Sequence, residues 1–297
     1  MIKVIATDLD GTLLGEDHKV SPRNLAALKK AADQGIRIIV VTGRYFGGAL
    51  SVLENHGKNW DMLCNSGACV FNQNHELVLQ HDIDWEKARK VMEFFKDTDL
   101  AVKYIGKDGS AFIGTADELR RKAFLEAKTF NPEMSDEELM NSERVKYPFI
   151  NCEMYEDFDS MKAGLKHVNK IFVFGAVPAE EMIAIKKKLA AQMPDLAIAS
   201  SFPTNIEISD IKGQKGPVLK EYIKSAGYTM DEVLVFGDSE NDLSMMEMDF
   251  VTVAMGNADE DIKKVSKYIT KPNTEDGVGW TVEQMLEKQA SQNAQRA

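Results

Sequence analysis

The chain has 297 residues, 44% of them hydrophobic and 28% charged, which is the composition of a soluble globular protein of one large or two moderate domains. The formal net charge of −11 argues against a nucleic-acid-binding protein, and no stretch approaches the ~20 apolar residues of a membrane span. No secretory signal is visible, and Cys64, Cys69 and Cys152 lack metal-ligand spacing. We therefore expect a cytoplasmic protein with reduced, mostly buried thiols.

The first predicted element is a buried strand over residues 2–6, which is followed by the motif D-L-D-G-T at residues 8–12. Asp8 and Asp10 repel each other unless a cation lies between them, and a strand that ends there can direct both side chains into one pocket. Mg²⁺ prefers carboxylate oxygens, and beside it one aspartate can act as a nucleophile while the other moves protons. An ordinary acidic turn after a strand is the alternative, and an isolated Asp-x-Asp would favour it.

The next elements predict a βαβ unit. Ser21 and Pro22 suit the start of a helix, and Gly35 suits its end. Residues 36–41 are a nearly continuous β-branched run, typical of a strand that is buried on both faces of a parallel sheet. Residues 62–64 predict a third short strand. The first strand, the helix and the second strand therefore form a right-handed βαβ unit.

Between residues 84 and 208 the pattern changes, and it predicts a separate α+β domain inserted into the parallel-sheet domain. Its predicted helices and strands cover, in chain order, residues 84–96, 100–105, 111–114, 117–130, 149–154, 157–168, 170–174, 179–192, 196–200 and 205–209. A turn that contains Lys107-Asp108-Gly109 joins the first two of these strands. Residues 131–146 are predicted to be an acidic loop, to which we assign no function.

The parallel-sheet pattern returns after the insert. The predicted helices and strands there cover, in chain order, residues 216–225, 233–236, 243–248, 250–254 and 268–270. The polar tail, residues 289–297, is expected to fray. We therefore expect an α/β fold in which residues 1–83 and 209–297 form a parallel-sheet core and residues 84–208 form an inserted α+β domain.

Polar side chains follow three of the predicted parallel strands at their carboxyl ends, where open α/β sheets bind ligands. Asp8 and Asp10 follow the first strand, Thr42 follows the second, and residues 238–242 follow a later one. Lys215, between two glycines near the start of a helix, can bring a compact positive charge to a phosphate that the overall charge of the chain repels. Each feature alone is usually structural, but all four in this order indicate one phosphate and metal site.

The sequence resembles the haloacid dehalogenase-like hydrolases. The matching motifs are D-L-D-G-T-L at 8–13, T-G-R at 42–44, the lysine of G-Q-K-G at 213–216, and G-D-S-E-N-D at 237–242. The insert lies between the second and third motifs, and its order αββ(αβαβ)αββ is similar to the cap of the Cof-type subfamily. The resemblance implies a Rossmann-like core with a mobile cap that sets specificity, and Mg²⁺-dependent hydrolysis of sugar phosphates or related phosphomonoesters through an aspartyl-phosphate.

The resemblance also implies a role for each matching residue. Asp8 attacks phosphorus and binds Mg²⁺, while Asp10 protonates the leaving alkoxide, deprotonates the hydrolytic water and gives its backbone carbonyl to the metal. Asp238 completes the metal site. Asp242 contributes to that site indirectly, by holding the metal ligands or by binding the metal through a water molecule. The phosphoryl oxygens are held by the Leu9 backbone N–H, Thr42, Gly43, Lys215 and Asn241.

Two details remain open at the level of sequence. Relatives often have Asn-Gly-Ala after the third strand, but here Ser66 is inserted after Asn65, so a substrate contact by Asn65 is left unassigned. Arg44 and Tyr45 follow the second motif and suit the entrance of the site, although a structural salt bridge is equally compatible with Arg44.

The function itself has two alternatives. A phosphomutase of the same fold would need a cap that keeps water off the phospho-enzyme, and a non-catalytic phospho-ligand sensor would not need both Asp8 and Asp10. The leading interpretation is a phosphatase with Mg²⁺ as cofactor and a small phosphorylated metabolite as substrate. We expect no nucleic-acid or membrane partner, and a monomer or small homo-oligomer.

Overall fold

The computed structural model describes residues 1–53, 56, 59–107 and 109–296; Asp108 of the predicted turn lies outside them. The chain divides into two compact units. The core unit consists of Met1–Leu79 and Gln214–Ala297, and the insert unit consists of Gln80–Gly213. The sequence pattern predicts these edges near residues 83 and 209.

The N-terminal part of the core unit contains the predicted βαβ unit. The elements of this part of the chain are β1 (Val4–Thr7), α1 (Pro22–Asp33), β2 (Arg37–Val41), α2 (Phe46–Leu53), β3 (Asp61–Cys64), β4 (Cys69–Phe71) and β5 (Leu77–Gln80), of which β1, α1 and β2 form the βαβ unit. The hydroxyl of Ser21 accepts a hydrogen bond from the Asn24 N–H at 3.1 Å and caps α1, as its position before Pro22 predicts. Cys64 and Cys69 are buried free thiols, and Cys152 is a half-buried one.

The insert unit follows the predicted order αββ(αβαβ)αββ, with two short helices added. Its elements are α3 (Trp85–Phe95), β6 (Ala101–Ile105), β7 (Ser110–Ile113), α4 (Ala116–Phe130), α5 (Asp136–Asn141), α6 (Glu143–Lys146), β8 (Cys152–Tyr155), α7 (Phe158–Leu165), β9 (Lys170–Phe174), α8 (Ala179–Gln192), β10 (Leu196–Ala199) and β11 (Asn205–Asp210).

The prediction of a loop over residues 131–146 is wrong, because α5 and α6 lie there. Ser135 and Glu138 form a reciprocal capping box: the Ser135 hydroxyl accepts from the Glu138 N–H at 3.3 Å, and the Glu138 carboxylate accepts from the Ser135 N–H at 2.9 Å. Leu139 and Val145 are then buried in a small apolar cluster with Ala127 of α4. The S-x-x-E motif at Ser135–Glu138 indicates a helix start, but the acidic composition of the segment favoured the prediction of a loop.

The C-terminal part of the core unit consists of α9 (Lys215–Ser225), β12 (Val233–Gly237), α10 (Leu243–Met246), β13 (Val251–Ala254), α11 (Glu260–Val265), β14 (Tyr268–Ile269) and α12 (Gly277–Arg296). The prediction that the tail from residue 289 frays is wrong, because α12 continues to Arg296. Val278, Val282 and Leu286 of α12 are buried in the main apolar core, which anchors the helix although its outer face is polar.

Each unit contains one sheet among the residues that the structure describes. The core sheet has the strand order β14-β13-β12-β1-β2-β3-β4-β5 and is parallel from β14 to β3, with β4 antiparallel to β3. The sheet of the insert unit has the order β10-β11-β9-β6-β7-β8 and is antiparallel apart from the parallel pair β7 and β8. The predicted α/β fold class is therefore confirmed. Among the helices that the structure describes, none is long and apolar enough to cross a membrane.

Candidate active site

The site lies at the carboxyl edge of three neighbouring parallel strands of the core unit. β1 runs between β12 and β2, with Thr7 opposite both Phe236 and Val40. Parallel strands in this register deliver the residues that follow them to one edge of the sheet. Asp8 follows β1 and Asp238 follows β12, so two aspartates that are far apart in sequence become neighbours.

Three carboxylates converge at this edge. Asp8, Asp238 and Asp242 each present an oxygen, and these oxygens all lie within 4.8 Å of one another. Asp8 and Asp242 are buried, and Asp238 is partly buried. An all-oxygen set of this kind matches the preference of hard divalent cations such as Mg²⁺.

Lys215 supplies a positive charge to this cluster. Its ammonium Nζ lies 2.8 Å from Oδ1 of Asp8, 2.6 Å from Oδ1 of Asp242 and 3.3 Å from Oδ1 of Asn241, and the side chain is completely buried. The lysine is the first residue of α9, so the start of this helix fixes its position. The side chain therefore holds the predicted nucleophile on one side and the loop after β12 on the other.

The electrostatics of the cluster show that one lysine does not balance three carboxylates. Burial, and then the charges of Asp242 and Asp238, raise the pKa of Asp8 well above its ordinary value, against the opposing effect of Lys215. Burial and the charge of Asp242 raise the pKa of Asp238 to about 7. Burial alone lowers the pKa of Lys215, but the carboxylates of Asp242 and Asp8 outweigh it and raise the pKa overall. A further cation stabilises such a group of charges, so these residues fit a divalent metal ion.

Asp242 and Thr12 orient the other members of the cluster. Oδ2 of Asp242 accepts from the backbone N–H groups of Asp238 at 2.9 Å and Ser239 at 3.2 Å, while its Oδ1 faces Lys215. Thr12 donates its hydroxyl to Oδ1 of Asp238 at 2.7 Å. Asp242 therefore acts mainly as a support for the loop and the lysine, and Thr12 is a contributor to which the sequence analysis gave no role.

Asp10 does not join the acidic cluster with its side chain. Its carboxylate is 47% exposed and forms a bidentate pair with Arg44, whose Nε and Nη2 lie 2.7 and 2.6 Å from the two oxygens. The salt bridge that the sequence left open for Arg44 is thus present, and its partner is the predicted acid–base residue. Thr42 is buried at the end of β2, and its hydroxyl accepts from the Arg44 N–H at 3.1 Å.

A family model described as haloacid dehalogenase-like hydrolase matches residues 5–282, which is nearly the whole chain. The chain belongs to the haloacid dehalogenase-like hydrolases. It is 32% identical over 289 residues to the phosphatase YwpJ of Bacillus subtilis, a match that covers 96% of this chain and 100% of that protein. It is 27% identical to YwtE of the same organism, a 5-amino-6-(5-phospho-D-ribitylamino)uracil phosphatase, over 97% of this chain and 99% of that one.

Solved structures of this hydrolase family agree with the fold. A haloacid dehalogenase-like hydrolase from B. subtilis superposes with a TM-score of 0.81 at 29% identity, over 95% of this chain and 99% of that one. A subclass IIB sugar phosphatase superposes with a TM-score of 0.72 at 22% identity, over 95% and 98% of the two chains, and this likeness supports the fold alone. The predicted family, the enzyme class of phosphoric monoester hydrolase and the α/β fold are therefore confirmed.

The hydrolase brings some of the predicted site residues together and leaves others apart. Around Lys215 lie Asp8, Asp242 and Asn241, with Asp238 beside them. The other predicted positions follow β1 and β2 at the same edge of the sheet. Leu9 lies next to Asp8 with its side chain in the core, Thr42 and Gly43 follow β2, and Asp10 is paired with Arg44. The arrangement can therefore offer a buried carboxylate, a buried ammonium and an exposed carboxylate at one sheet edge.

Proposed function

We propose that the chain is a Mg²⁺-dependent phosphatase that hydrolyses a small phosphorylated metabolite, a sugar phosphate or related phosphomonoester, through an aspartyl-phosphate on Asp8. The observation that carries this proposal is the buried Asp8 carboxylate, which is held by Lys215 at 2.8 Å beside two further carboxylates. A surface turn has no reason to bury two carboxylates on one lysine and to place a third beside them. A nucleophile that must meet an anionic phosphoryl group needs positive charge beside it, which Lys215 and a bound Mg²⁺ would supply.

In the first half-reaction, a carboxylate oxygen of Asp8 attacks phosphorus and the bond from phosphorus to the leaving-group oxygen breaks. Asp10 donates a proton to that oxygen, so the product alcohol leaves neutral. Lys215 and Asn241, with the Leu9 and Gly43 backbone and Thr42, hold the phosphoryl oxygens in line. This hypothesis asks the chain mainly for positioning and for charge neutralisation, which are what phosphoryl transfer requires.

In the second half-reaction, water attacks the phosphorus of the aspartyl-phosphate, Asp10 accepts the proton of that water, and Asp8 is released together with inorganic phosphate. The side chains of Asp8 and Asp238 and the backbone carbonyl of Asp10 would hold Mg²⁺, with Asp242 supporting them. When bound, the ion offsets the repulsion between the anionic nucleophile and the anionic substrate.

The proposed substrate class follows the named activities of the relatives. YwtE is named for a phosphorylated ribitylaminouracil, and YbhA of Escherichia coli, 24% identical over 279 residues, is named a pyridoxal phosphate phosphatase. Both names describe phosphate esters of small molecules. The net charge of −11 argues against nucleic acid or an anionic membrane as partner, and we expect a cytoplasmic monomer or small homo-oligomer.

Hydrolysis of p-nitrophenyl phosphate in the presence of Mg²⁺ tests the proposal. We expect release of nitrophenol and of inorganic phosphate, loss of both on addition of EDTA, and recovery with excess Mg²⁺. The Asp8→Asn variant is the control for contaminating phosphatases. Phosphate binding without turnover above that control would instead identify a sensor, and transfer of phosphate within a sugar without its release would identify a phosphomutase.

Gly11 offers a test of the metal site that is independent of the nucleophile. It has φ of +79°, and a Cβ there would overlap Oδ2 of Asp238 and lie 2.9 Å from its Cγ. We expect Gly11→Ala to displace the Asp238 carboxylate and to lower Mg²⁺ affinity about tenfold or more, measured by titration calorimetry or Mg²⁺-dependent thermal stabilisation.

Gly35 is the matched control, because it has nearly the same φ, +82°, and a Cβ added there would meet no other atom within 4 Å. Gly35→Ala should cost a similar ~1 kcal/mol of backbone strain in the free energy of unfolding and leave Mg²⁺ affinity unchanged. Equal Mg²⁺ affinity in both variants would contradict the assignment of Asp238 to the metal.

A further inference from the structure

Arg44 fixes the plane of the Asp10 carboxylate. Its Nε donates to Oδ2 at 2.7 Å and its Nη2 donates to Oδ1 at 2.6 Å. Side-on pairs of this kind fix geometry more strictly than the single contact of a lysine can. The Arg44 side chain is only 17% exposed whereas that of Asp10 is 47% exposed, so the more buried partner orients the more exposed one.

The backbone of Arg44 is itself held on both sides. Its N–H donates to the hydroxyl of Thr42 at 3.1 Å, and its carbonyl accepts from the Asn65 N–H at 2.8 Å. These bonds tie Arg44 to the ends of β2 and β3, which are hydrogen-bonded neighbours in the core sheet. A continuous set of contacts therefore runs from two strand ends to the carboxylate of Asp10, and this set does not include the cluster around Lys215.

The pair leaves room for proton transfer. The carboxylate has about four acceptor positions, of which the guanidinium of Arg44 uses two, so a remaining position can carry the proton that the acid form of Asp10 donates. A half-exposed aspartate without such a partner samples several staggered rotamers, and only some of them bring an oxygen toward a bound ester. General acid catalysis requires the carboxyl group to lie within hydrogen-bond reach of the departing oxygen, so a fixed orientation contributes directly to the rate.

We propose that Arg44 is a positioning residue that aims the Asp10 carboxylate at the leaving-group oxygen of the substrate. The inference rests on the proposed phosphatase function, in which Asp10 protonates that oxygen. It has a specific consequence: Arg44 should matter most for esters whose leaving group needs the proton. The alkoxide of an alkyl phosphate is strongly basic and must be protonated as its bond to phosphorus breaks, whereas p-nitrophenolate is a stable anion that leaves without a proton.

The test compares kcat/KM for two substrates in Arg44→Gln and Arg44→Lys. The substrates are p-nitrophenyl phosphate and the alkyl phosphate that the wild-type protein hydrolyses fastest in a panel. The ratio kcat/KM covers the steps up to formation of the aspartyl-phosphate, whichever later step limits kcat. We expect Arg44→Gln to lower the value for the alkyl phosphate about tenfold or more relative to that for p-nitrophenyl phosphate, and Arg44→Lys to restore part of the difference.

Arg23→Gln is the matched control, because Arg23 also forms a bidentate pair, with Glu283, on the surface of the core unit. It should leave the substrate ratio unchanged. An equal loss for both substrates in Arg44→Gln would overturn the inference, since a structural role or a direct contact with phosphate affects both alike. A further selective loss when Arg44→Gln is added to Asp10→Asn would also overturn it, because Arg44 would then not act through Asp10.

Asp10→Asn separates failure of the inference from failure of the proposed function. If Asp10→Asn loses alkyl phosphate selectively and Arg44→Gln does not, only the role of Arg44 is wrong. If Asp10→Asn itself shows no selectivity between the two substrates, or if the wild-type protein hydrolyses neither, then the acid–base assignment or the phosphatase proposal is wrong, and the inference about Arg44 is overturned with it.

Discussion

Replacement of Asp8 by asparagine is expected to lower kcat by about four orders of magnitude or more, which is the effect of removing an enzyme's nucleophile. The amide keeps the shape of the side chain but does not attack phosphorus. Burial raises the pKa of Asp8 well above its ordinary value, so an uncharged side chain at this position should not lower the free energy of unfolding. We therefore expect a thermal midpoint at least as high as that of the wild-type protein, measured beside steady-state hydrolysis.

Asp61 provides the matched control for this substitution. It is a fully buried aspartate of the same sheet, but it pairs with Arg37 and accepts from the Tyr222 hydroxyl at 2.8 Å. Asp61→Asn should lower the free energy of unfolding, because it removes the charge that Arg37 faces, and should leave kcat within a few-fold of the wild-type value. Normal turnover in Asp8→Asn would refute the assignment of Asp8 as the nucleophile. An equally complete loss in Asp61→Asn would mean that activity merely follows the integrity of the sheet.

The sequence was sufficient to predict the strands that carry the site, for a physical reason. β1, β2 and β12 are buried on both faces of a parallel sheet, so they appear as nearly unbroken apolar runs that end in polar residues. The order of elements in a βαβ unit then brings those ends to one edge. Asp8 and Asp238 could therefore be predicted as neighbours although a long insert separates them.

Other features depend on contacts that a local pattern does not contain. α12 is anchored at its start, where Val278 and Val282 pack into the core, and Gln289 at the beginning of the polar tail accepts a hydrogen bond from the Ile2 N–H at 2.6 Å. α2 was not predicted, because its two glycines disfavour a helix. Burial of apolar residues such as Leu53 stabilises it, and the local sequence does not show that burial. The orientation of Asp10 depends on its bidentate pair with Arg44, 34 positions away, and residue spacing does not encode a side-chain rotamer.

Replacement of Lys215 by methionine has the second largest expected effect, on both stability and activity. Methionine fills much of the same space, but it leaves the carboxylates of Asp8, Asp238 and Asp242 together without the ammonium that two of them face. Removal of one partner from a buried ion pair costs about 3–5 kcal/mol in the free energy of unfolding. Chemical denaturation near neutral pH should show a loss of this size, and hydrolysis should fall with it because the phosphoryl group loses its lysine.

The loss in Lys215→Met should depend on pH and on Mg²⁺ in a way that ordinary core damage does not. The pKa of Asp238 is raised to about 7 with the lysine present, and its removal raises the pKa values of the carboxylates further. Above about pH 7 the carboxyl groups of the folded variant keep protons that those of the folded wild-type protein have lost, so the stability deficit should grow as pH rises from about 7 to about 8. Mg²⁺ should recover part of it by supplying the missing positive charge.

Lys170 distinguishes this mechanism from the general cost of a buried lysine. It is 3% exposed and pairs with Glu207 at 2.6 Å in the sheet of the insert unit, and neither residue belongs to the group of three carboxylates. Lys170→Met should also lower the free energy of unfolding, but Mg²⁺ should not recover it, because one carboxylate alone does not form a metal site. Equal recovery by Mg²⁺ in both variants would show nonspecific stabilisation. No recovery in Lys215→Met would mean that the acidic side chains at this sheet edge do not bind the ion as a group.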